Sequence, residues 1–103
     1  MSNENTLVLK DMISPIAQKY GVERVFLFGS MARGDNDENS DYDFLISKGQ
    51  LRSLIQYMAF VNELENVLKH HVDVITDSSP DETIIINAMK EGILLYERQN
   101  NEN

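Results

Sequence analysis

The segment over residues 28–44 contains residue types and spacings that could do chemistry, and it begins with Gly29 and Ser30. Glycine at the end of an apolar run lets the backbone turn sharply and lets a ligand approach closely. We expect Ser30 to be the N-cap of a single helical turn, whose backbone N–H groups and hydroxyl would bind an anion. Arg33 can project from the same turn towards a phosphate. A plain strand-to-helix turn is the alternative, because glycine–serine turns are common.

Asp41 and Asp43 follow Ser30 after ten intervening residues and are separated by one residue. Side chains alternate faces along a strand, so both carboxylates are predicted to point the same way. Two carboxylates on one face repel each other unless a cation lies between them. Because Mg²⁺ prefers carboxylate oxygens and keeps positions open for substrate phosphates, the pair is a candidate magnesium site. The alternative is a polar strand end that continues the acidic loop over 35–40.

A third acid, Asp73, interrupts an apolar run over 72–75 that is typical of a buried strand. An unpaired buried carboxylate is costly, so we expect Asp73 to be neutralised, hydrogen-bonded or bound to a metal. If this strand lies beside the strand of Asp41 and Asp43, three carboxylates converge on one site. Such a triad can hold two metal ions for an in-line phosphoryl displacement, one on the attacking oxygen and one on the leaving group.

The elements that must position these residues follow from hydrophobic periodicity. Helical spacing predicts helices over 6–20 and 51–68, a helical turn over 30–33, and a helix from 81 to about 90–92. Short apolar, β-branched runs predict strands over 22–28, 41–47 and 72–75, and an edge strand over 93–96. Pro15 predicts a kink or a break in the first helix, and Gly21 predicts its end. Strands alternating with helices indicate the mixed α/β (α+β) class, with a mixed β-sheet and flanking helices.

Composition excludes several classes of protein. The 103 residues predict one domain over 1–103, with a frayed polar tail over 98–103. With 9 basic and 17 acidic residues the formal net charge is −8, which disfavours direct nucleic-acid binding. The absence of cysteine excludes a disulfide scaffold, a thiolate zinc site and a cysteine nucleophile. We expect a small cytoplasmic protein with no membrane span, because no apolar run approaches about 20 residues and no signal peptide is present.

The residue spacing resembles the GSx10DxD signature of the minimal nucleotidyltransferase (MNT) family, which belongs to the DNA polymerase β-like nucleotidyltransferase superfamily. Ten residues separate the glycine–serine pair at 29–30 from Asp41, and one more residue separates Asp41 from Asp43. The residues Ala-Arg-Gly at 32–34 and Ser40 match the family's usual GSxARG…SDxD pattern, and Asp73 stands where a third, strand-borne aspartate is expected. The resemblance covers nearly the whole chain and implies the polymerase β-like nucleotidyltransferase fold.

The resemblance also implies roles for these residues. It implies a nucleotide-binding group formed by Gly29, Ser30 and Arg33, with ATP as the substrate. It implies a catalytic and metal-ligating group formed by Asp41, Asp43 and Asp73, with two Mg²⁺ ions. Within this group, Asp73 would help to activate the attacking hydroxyl.

Free-standing proteins of this family and length are similar to antitoxins that act on a HEPN-domain ribonuclease toxin. The resemblance therefore implies transfer of AMP from ATP to a tyrosine of a cognate HEPN toxin, within a hetero-oligomer. Two alternatives stay open: an antitoxin that neutralises its partner by binding alone, and a nucleotidyltransferase that acts on a small molecule.

Two further patterns favour structural interpretations. Asp35, Asp37 and Asn39 match the first three ligand positions of a calcium-binding EF-hand loop. The sixth position of that loop is Ser40 instead of glycine, and the twelfth is Ile46 instead of glutamate. His70 and His71 are adjacent, which does not match the spacing of a zinc site. We expect one histidine at the end of a helix and the other half-buried on a strand.

Overall fold

The computed structural model describes residues 4–35, 40–78 and 81–99. The elements follow in the order α1 (Glu4–Tyr20), β1 (Arg24–Phe28), α2 (Ser30–Arg33), β2 (Tyr42–Ser47), α3 (Leu54–Leu68), β3 (Val72–Thr76), α4 (Glu82–Glu91) and β4 (Ile93–Glu97). The predicted helices and strands are all present, with ends that differ by at most three residues. The predicted loop over 35–40 lies largely outside the described residues. Across the described ranges, no helix has an apolar stretch long enough to cross a bilayer.

Helix α1 continues through Pro15, so the proline does not break it. A proline inside a helix removes one backbone hydrogen bond and costs about 3 kcal/mol. Ile13, Ile16 and Ala17 lie on either side of Pro15 and are almost completely buried. Burial of two such isoleucine side chains contributes about 3–6 kcal/mol, which offsets the cost of the proline. The helix ends at Tyr20 and is followed by Gly21 at φ +70°, as the sequence predicted.

The four strands form one mixed sheet in the order β3–β2–β1–β4. Strand β1 pairs antiparallel with β2 on one side and with β4 on the other. Strands β2 and β3 pair in parallel, so β3 and β4 are the edges of the sheet. The mixed sheet with flanking helices confirms the predicted fold class. Beyond β4, the backbone N–H of Arg98 donates to the carbonyl of Glu23 at 2.8 Å, which holds the start of the tail against the sheet.

Helices α1 and α3 contribute to a hydrophobic core that covers one face of the sheet. Strand β1 contributes Val25 and Leu27 to this core, and strand β2 contributes Phe44 and Ile46. All four side chains are at most 2% exposed. Because side chains alternate along a strand, the neighbouring Asp43 points to the opposite face of the sheet.

A polar network joins α1 to α3 at the edge of the core. The ammonium of Lys19 lies 2.8 Å from the carboxylate of Glu63. The hydroxyl of Tyr20 donates to the same oxygen at 2.5 Å, and its ring meets Phe60 edge-on with centroids 5.7 Å apart. The two hydrogen bonds lower the pKa of Glu63 below its ordinary value.

Candidate active site

The parallel pairing of β2 with β3 brings the predicted acids to one end of the sheet. Asp43 and Asp73 are directly opposite each other in the register of the two strands. Neighbouring strands lie about 4.8 Å apart, so side chains on the same face of opposite residues are neighbours. Asp41 and His71 each come one residue before their strand and occupy the same end. The arrangement that the sequence required, with these two strands side by side, is present.

Asp41, His71 and Asp73 form a compact cluster of possible metal ligands. The Nδ1 atom of His71 lies 3.5 Å from Asp41 Oδ2 and 3.8 Å from Asp73 Oδ1. One donor atom from each of the three residues lies within 4.8 Å of the other two. The three side chains are 47–61% exposed, so the cluster opens to solvent.

Asp43 lies beside this cluster and is more buried than its members. Burial raises the pKa of its carboxyl above the ordinary value, and the negative charges of Asp73 and Asp41 raise it further. The positive charge of Arg33, and to a smaller extent His71, act in the opposite direction. The three carboxylates predicted from the sequence are therefore close enough to repel one another.

Gly29 gives the Asp43 carboxylate its space. A Cβ atom at position 29 would lie 2.5 Å from Asp43 Oδ2, which is closer than two such atoms can approach. Gly29 also has φ +78° and ψ −157°, a backbone conformation essentially restricted to glycine. The sequence predicted that Gly29 lets a ligand approach the backbone closely. In the structure, the group that lies close to Gly29 is the carboxylate of Asp43.

The prediction that Ser30 is an N-cap is wrong. Gly29 is the N-cap residue of α2, and Ser30 is the first residue inside the helix. The physical reason is the backbone of Gly29, which turns the chain out of β1 one residue earlier than expected. Gly34, at φ +85°, ends this helical turn as predicted.

Arg33 is the last residue of α2, and its side chain forms an ion pair. Its Nε atom lies 3.2 Å from Asp35 Oδ2, and both side chains are more than half exposed. Arg33 nevertheless lies close enough to Asp43 for its charge to lower the pKa of that carboxyl. A role in binding phosphate stays a prediction, and the pair with Asp35 engages one of the five N–H donors of the guanidinium.

Two expectations about burial are wrong. Asp73 was expected in a buried strand, yet its side chain is 56% exposed, because β3 is an edge strand and Asp73 lies on the face away from the core. His71 was expected to be half-buried, yet it is exposed and contacts the acids. The signal that could have identified His71 is its spacing of two residues from Asp73, which places both side chains on one face of an extended chain.

The chemistry of the cluster is that of a cation site. Carboxylate oxygens with an imidazole nitrogen are common ligands of divalent metal ions, and the negative charges of the acids are incompletely neutralised by protein groups. Such a cluster beside a glycine-tipped turn is typical of enzymes that handle phosphate groups with the help of bound cations.

Comparison with known protein families shows to which family the chain belongs. The family model described as "Polymerase beta, Nucleotidyltransferase" matches residues 11–101. The chain therefore belongs to this nucleotidyltransferase family, which confirms the family predicted from the sequence.

Curated relatives cover most of the chain. A protein of Methanocaldococcus jannaschii, named as a protein adenylyltransferase, is 44% identical over 71 residues, which are 69% of this chain and 76% of the relative. The protein adenylyltransferase MntA of Thermococcus cleftensis is 30% identical over 76 residues, which are 74% of this chain and 77% of the relative.

Solved structures share the fold. A structure described as a minimal nucleotidyltransferase is 27% identical, with a TM-score of 0.76 and coverage of 90% of this chain and 95% of that one. A toxin–antitoxin structure with AMP-PNP is 20% identical, with a TM-score of 0.70 and coverage of 97% and 77%. A tri-AMPylated Shewanella oneidensis HEPN toxin in complex with an MNT antitoxin is 16% identical, with a TM-score of 0.69 and coverage of 93% and 76%. At the last two identities the likeness shows the fold alone.

Proposed function

We propose that this chain is an antitoxin-type adenylyltransferase that transfers AMP from ATP to a tyrosine of a cognate HEPN ribonuclease toxin, in a Mg²⁺-dependent reaction. The observation that carries the proposal is the convergence of Asp41, Asp43 and Asp73 at one end of the paired strands β2 and β3. The names of the curated relatives support adenylyl transfer to a protein. The structural neighbour with a tri-AMPylated HEPN toxin supports the kind of acceptor.

Asp41, Asp43 and Asp73 are the proposed ligands of two Mg²⁺ ions. Their fit to the ions is supported by the position of Asp43, whose pKa is raised by burial first and then by the negative charges of Asp73 and Asp41, which a bound cation would offset. A bound divalent cation would neutralise charge on the triphosphate and stabilise the charge that develops in the transition state. Before binding, the acids keep the site negative and open to solvent.

The proposed reaction is an in-line displacement at the α-phosphorus of ATP. The phenolic oxygen of the acceptor tyrosine forms a bond to this phosphorus, and the bond from the phosphorus to the oxygen that bridges the β-phosphate breaks. Pyrophosphate leaves with that bonding electron pair. The phenolic proton passes to the carboxylate of Asp73 and from there to solvent, which is the role proposed for Asp73.

Gly29, Ser30 and Arg33 are the proposed nucleotide-binding residues. Gly29 and Ser30 support this role by their position at the start of α2, next to Asp43. Arg33 would reach a phosphate through its other N–H donors or by leaving its pair with Asp35. An exposed ion pair contributes only about 0–1 kcal/mol, so its loss costs little.

An exposed acceptor site is consistent with a protein substrate. The side chains of Asp41, His71 and Asp73 are about half exposed, so a tyrosine on another folded protein can reach them. We propose that the chain acts as one domain over residues 1–103, in a hetero-oligomer with its toxin and in the cytoplasm, where ATP is available.

The proposal is tested by incubating the protein with ATP, Mg²⁺ and the product of an adjacent gene that encodes a HEPN domain. Intact-mass spectrometry is expected to show the HEPN protein heavier by one or more AMP groups, and peptide mapping is expected to place them on tyrosine. The double variant Asp41→Asn/Asp43→Asn is expected to abolish the added mass. The double variant Asp11→Asn/Glu23→Gln removes two negative charges at exposed positions away from the site and is the matched control.

A growth assay in cells that express the toxin distinguishes neutralisation by AMP transfer from neutralisation by binding alone. If the Asp41→Asn/Asp43→Asn variant protects as well as the parent chain, the protein neutralises its partner by binding alone. If no adduct forms on the HEPN protein with either Mg²⁺ or Mn²⁺, the proposed transfer is wrong. If AMP is instead found on a small molecule in the same reaction, the acceptor class is wrong and the enzyme class stands.

A further inference from the structure

We infer that His71 is a direct metal ligand of this site, in addition to the carboxylates, and that it makes the site favour divalent transition-metal ions over Mg²⁺. The inference rests on the proposed function, because it concerns the same metal site. It is carried by the geometry of the described residues Asp41, His71 and Asp73.

The three donor atoms lie within 4.8 Å of one another, and the two separations that involve His71 are those of ligands of one ion. Two ligands that each lie about 2.1 Å from an ion are about 3.0 Å apart at right angles and about 4.2 Å apart on opposite sides. The separations of 3.5 Å and 3.8 Å between His71 Nδ1 and the oxygens of Asp41 and Asp73 fall between these limits. One ion can therefore contact all three residues with only small side-chain adjustments.

The type of donor determines which ion the cluster favours. Mg²⁺ takes oxygen ligands almost exclusively, so a site of carboxylates alone suits it. An imidazole nitrogen suits transition-metal ions, whose affinity for mixed nitrogen and oxygen sites exceeds that of Mg²⁺. The adjacent His70 supplies no such ligand, because its ring packs edge-on against Tyr42 with centroids 5.6 Å apart.

The competing explanation is that protonated His71 only forms ion pairs with Asp41 and Asp73. In that case, the positive imidazolium would occupy the space between the carboxylates and would oppose the entry of a cation. Removal of His71 would then strengthen metal binding. The two explanations thus predict opposite changes in affinity for the same substitution.

Electron paramagnetic resonance with Mn²⁺ as the probe tests the inference on the full chain. The pulsed (electron spin-echo envelope modulation) experiment detects nitrogen nuclei bound directly to Mn²⁺, and we expect ¹⁴N modulation from wild-type protein. Incorporation of ¹⁵N-histidine is expected to replace the ¹⁴N modulation with ¹⁵N modulation. This change assigns the metal-bound nitrogen to a protein histidine. The measurement is made without nucleotide and with AMP-PNP, so that binding that requires the nucleotide is also detected.

His71→Ala is the test substitution, and His70→Ala is its matched control. His71→Ala is expected to abolish the nitrogen modulation and to weaken Mn²⁺ binding by about tenfold or more, because loss of even an outer-sphere partner costs that much. The affinity for Mg²⁺, measured by competition against Mn²⁺, is expected to fall by a smaller factor. His70→Ala is expected to retain the modulation. Since the side chain of His71 is 61% exposed, its truncation is compatible with folding, which circular dichroism checks.

Three results would overturn the inference: Mn²⁺ bound without histidine modulation, unchanged Mn²⁺ affinity in His71→Ala, or tighter Mn²⁺ binding in that variant. With any of these, AMP transfer by the wild-type protein would still support the proposed function. If neither Mn²⁺ nor Mg²⁺ binds wild-type protein, with or without AMP-PNP, the inference and the proposed function are both wrong. If Mn²⁺ binds through His71 but no AMP is transferred, the inference stands and the proposed function fails.

Discussion

Replacement of Gly29 with alanine tests whether the turn after β1 makes room for the Asp43 carboxylate. The backbone of Gly29, at φ +78° and ψ −157°, would cost a residue with a side chain about 1–3 kcal/mol. The added Cβ would lie 2.5 Å from Asp43 Oδ2, so this partly exposed carboxylate must rotate away, at a further cost of about 0.5–1.5 kcal/mol. We therefore expect Gly29→Ala to lower the free energy of unfolding by about 1.5–4.5 kcal/mol.

Gly34→Ala is the control for the backbone contribution. Gly34 also has a positive φ, +85°, but no atom of the described residues lies within 4 Å of the position of its Cβ. Its replacement is expected to cost only about 1–2 kcal/mol, the penalty of the left-handed conformation. Urea unfolding followed by circular dichroism measures both variants, and a domain of this size is expected to be stable enough to remain folded after either change.

A double-mutant cycle with Asp43→Ala isolates the contact itself. With the carboxylate removed, the cost of Gly29→Ala is expected to fall by about 0.5–1.5 kcal/mol to its backbone part. The reasoning is refuted if Gly29→Ala costs the same, within about 0.5 kcal/mol, with and without the Asp43 side chain. Gly29 would then be required for its backbone alone, and the close approach to Asp43 would have no energetic consequence.

Three further predictions concern the charges and the core. Asp43→Asn is expected to stabilise the protein at neutral pH in the presence of a chelator, because the raised pKa of Asp43 means that folding disfavours its charged form; a lower urea midpoint for the variant would contradict this. Glu63→Gln is expected to destabilise at neutral pH, because Lys19 and Tyr20 lower the pKa of Glu63 below its ordinary 4.5. That stabilisation is present above the ordinary pKa and is lost as the pH falls through the lowered folded-state pKa, so the urea midpoints of the two proteins are expected to converge in acid. Phe60→Ala, at a fully buried position, is expected to cost about 3–5 kcal/mol in the same assay; a loss below 1 kcal/mol would show that the core refills the space.

The helices and strands could be predicted from the sequence because periodicity reports burial. Phe60, Leu64 and Leu68 are spaced by four residues, and all three are buried in the core. Periodicity does not report hydrogen bonding, which decides where a helix begins. Leu51 is buried like these three side chains, yet α3 begins three residues later, because the Ser53 hydroxyl accepts from the backbone N–H of Gln56 at 3.0 Å and caps the helix.

The acids of the site could be predicted from their spacing, whereas their exposure could not. Exposure depends on the order of strands in the sheet, which is a property of the whole fold. Because β3 is an edge strand with α3 packed on one face, Val72 points into the core, and Asp73 points out on the other face. The same geometry placed His71 among the acids. Its spacing of two residues from Asp73 indicates that the two side chains share a face, whereas its adjacency to His70 does not.

The main hydrophobic core and the acids of the site lie on opposite faces of the sheet. The core packs α1 and α3 against one face, and on β2 and β3 the acidic side chains project from the alternate positions on the other. Substitution of Asp41, Asp43 or Asp73 therefore removes repulsion between charges and leaves the packed core intact. For this reason, loss of AMP transfer in a site variant can be attributed to the site, provided that the variant unfolds at a urea concentration no lower than the parent does. A site variant that lost both activity and stability would instead show that the acids support the fold, which the separation of the two faces does not allow.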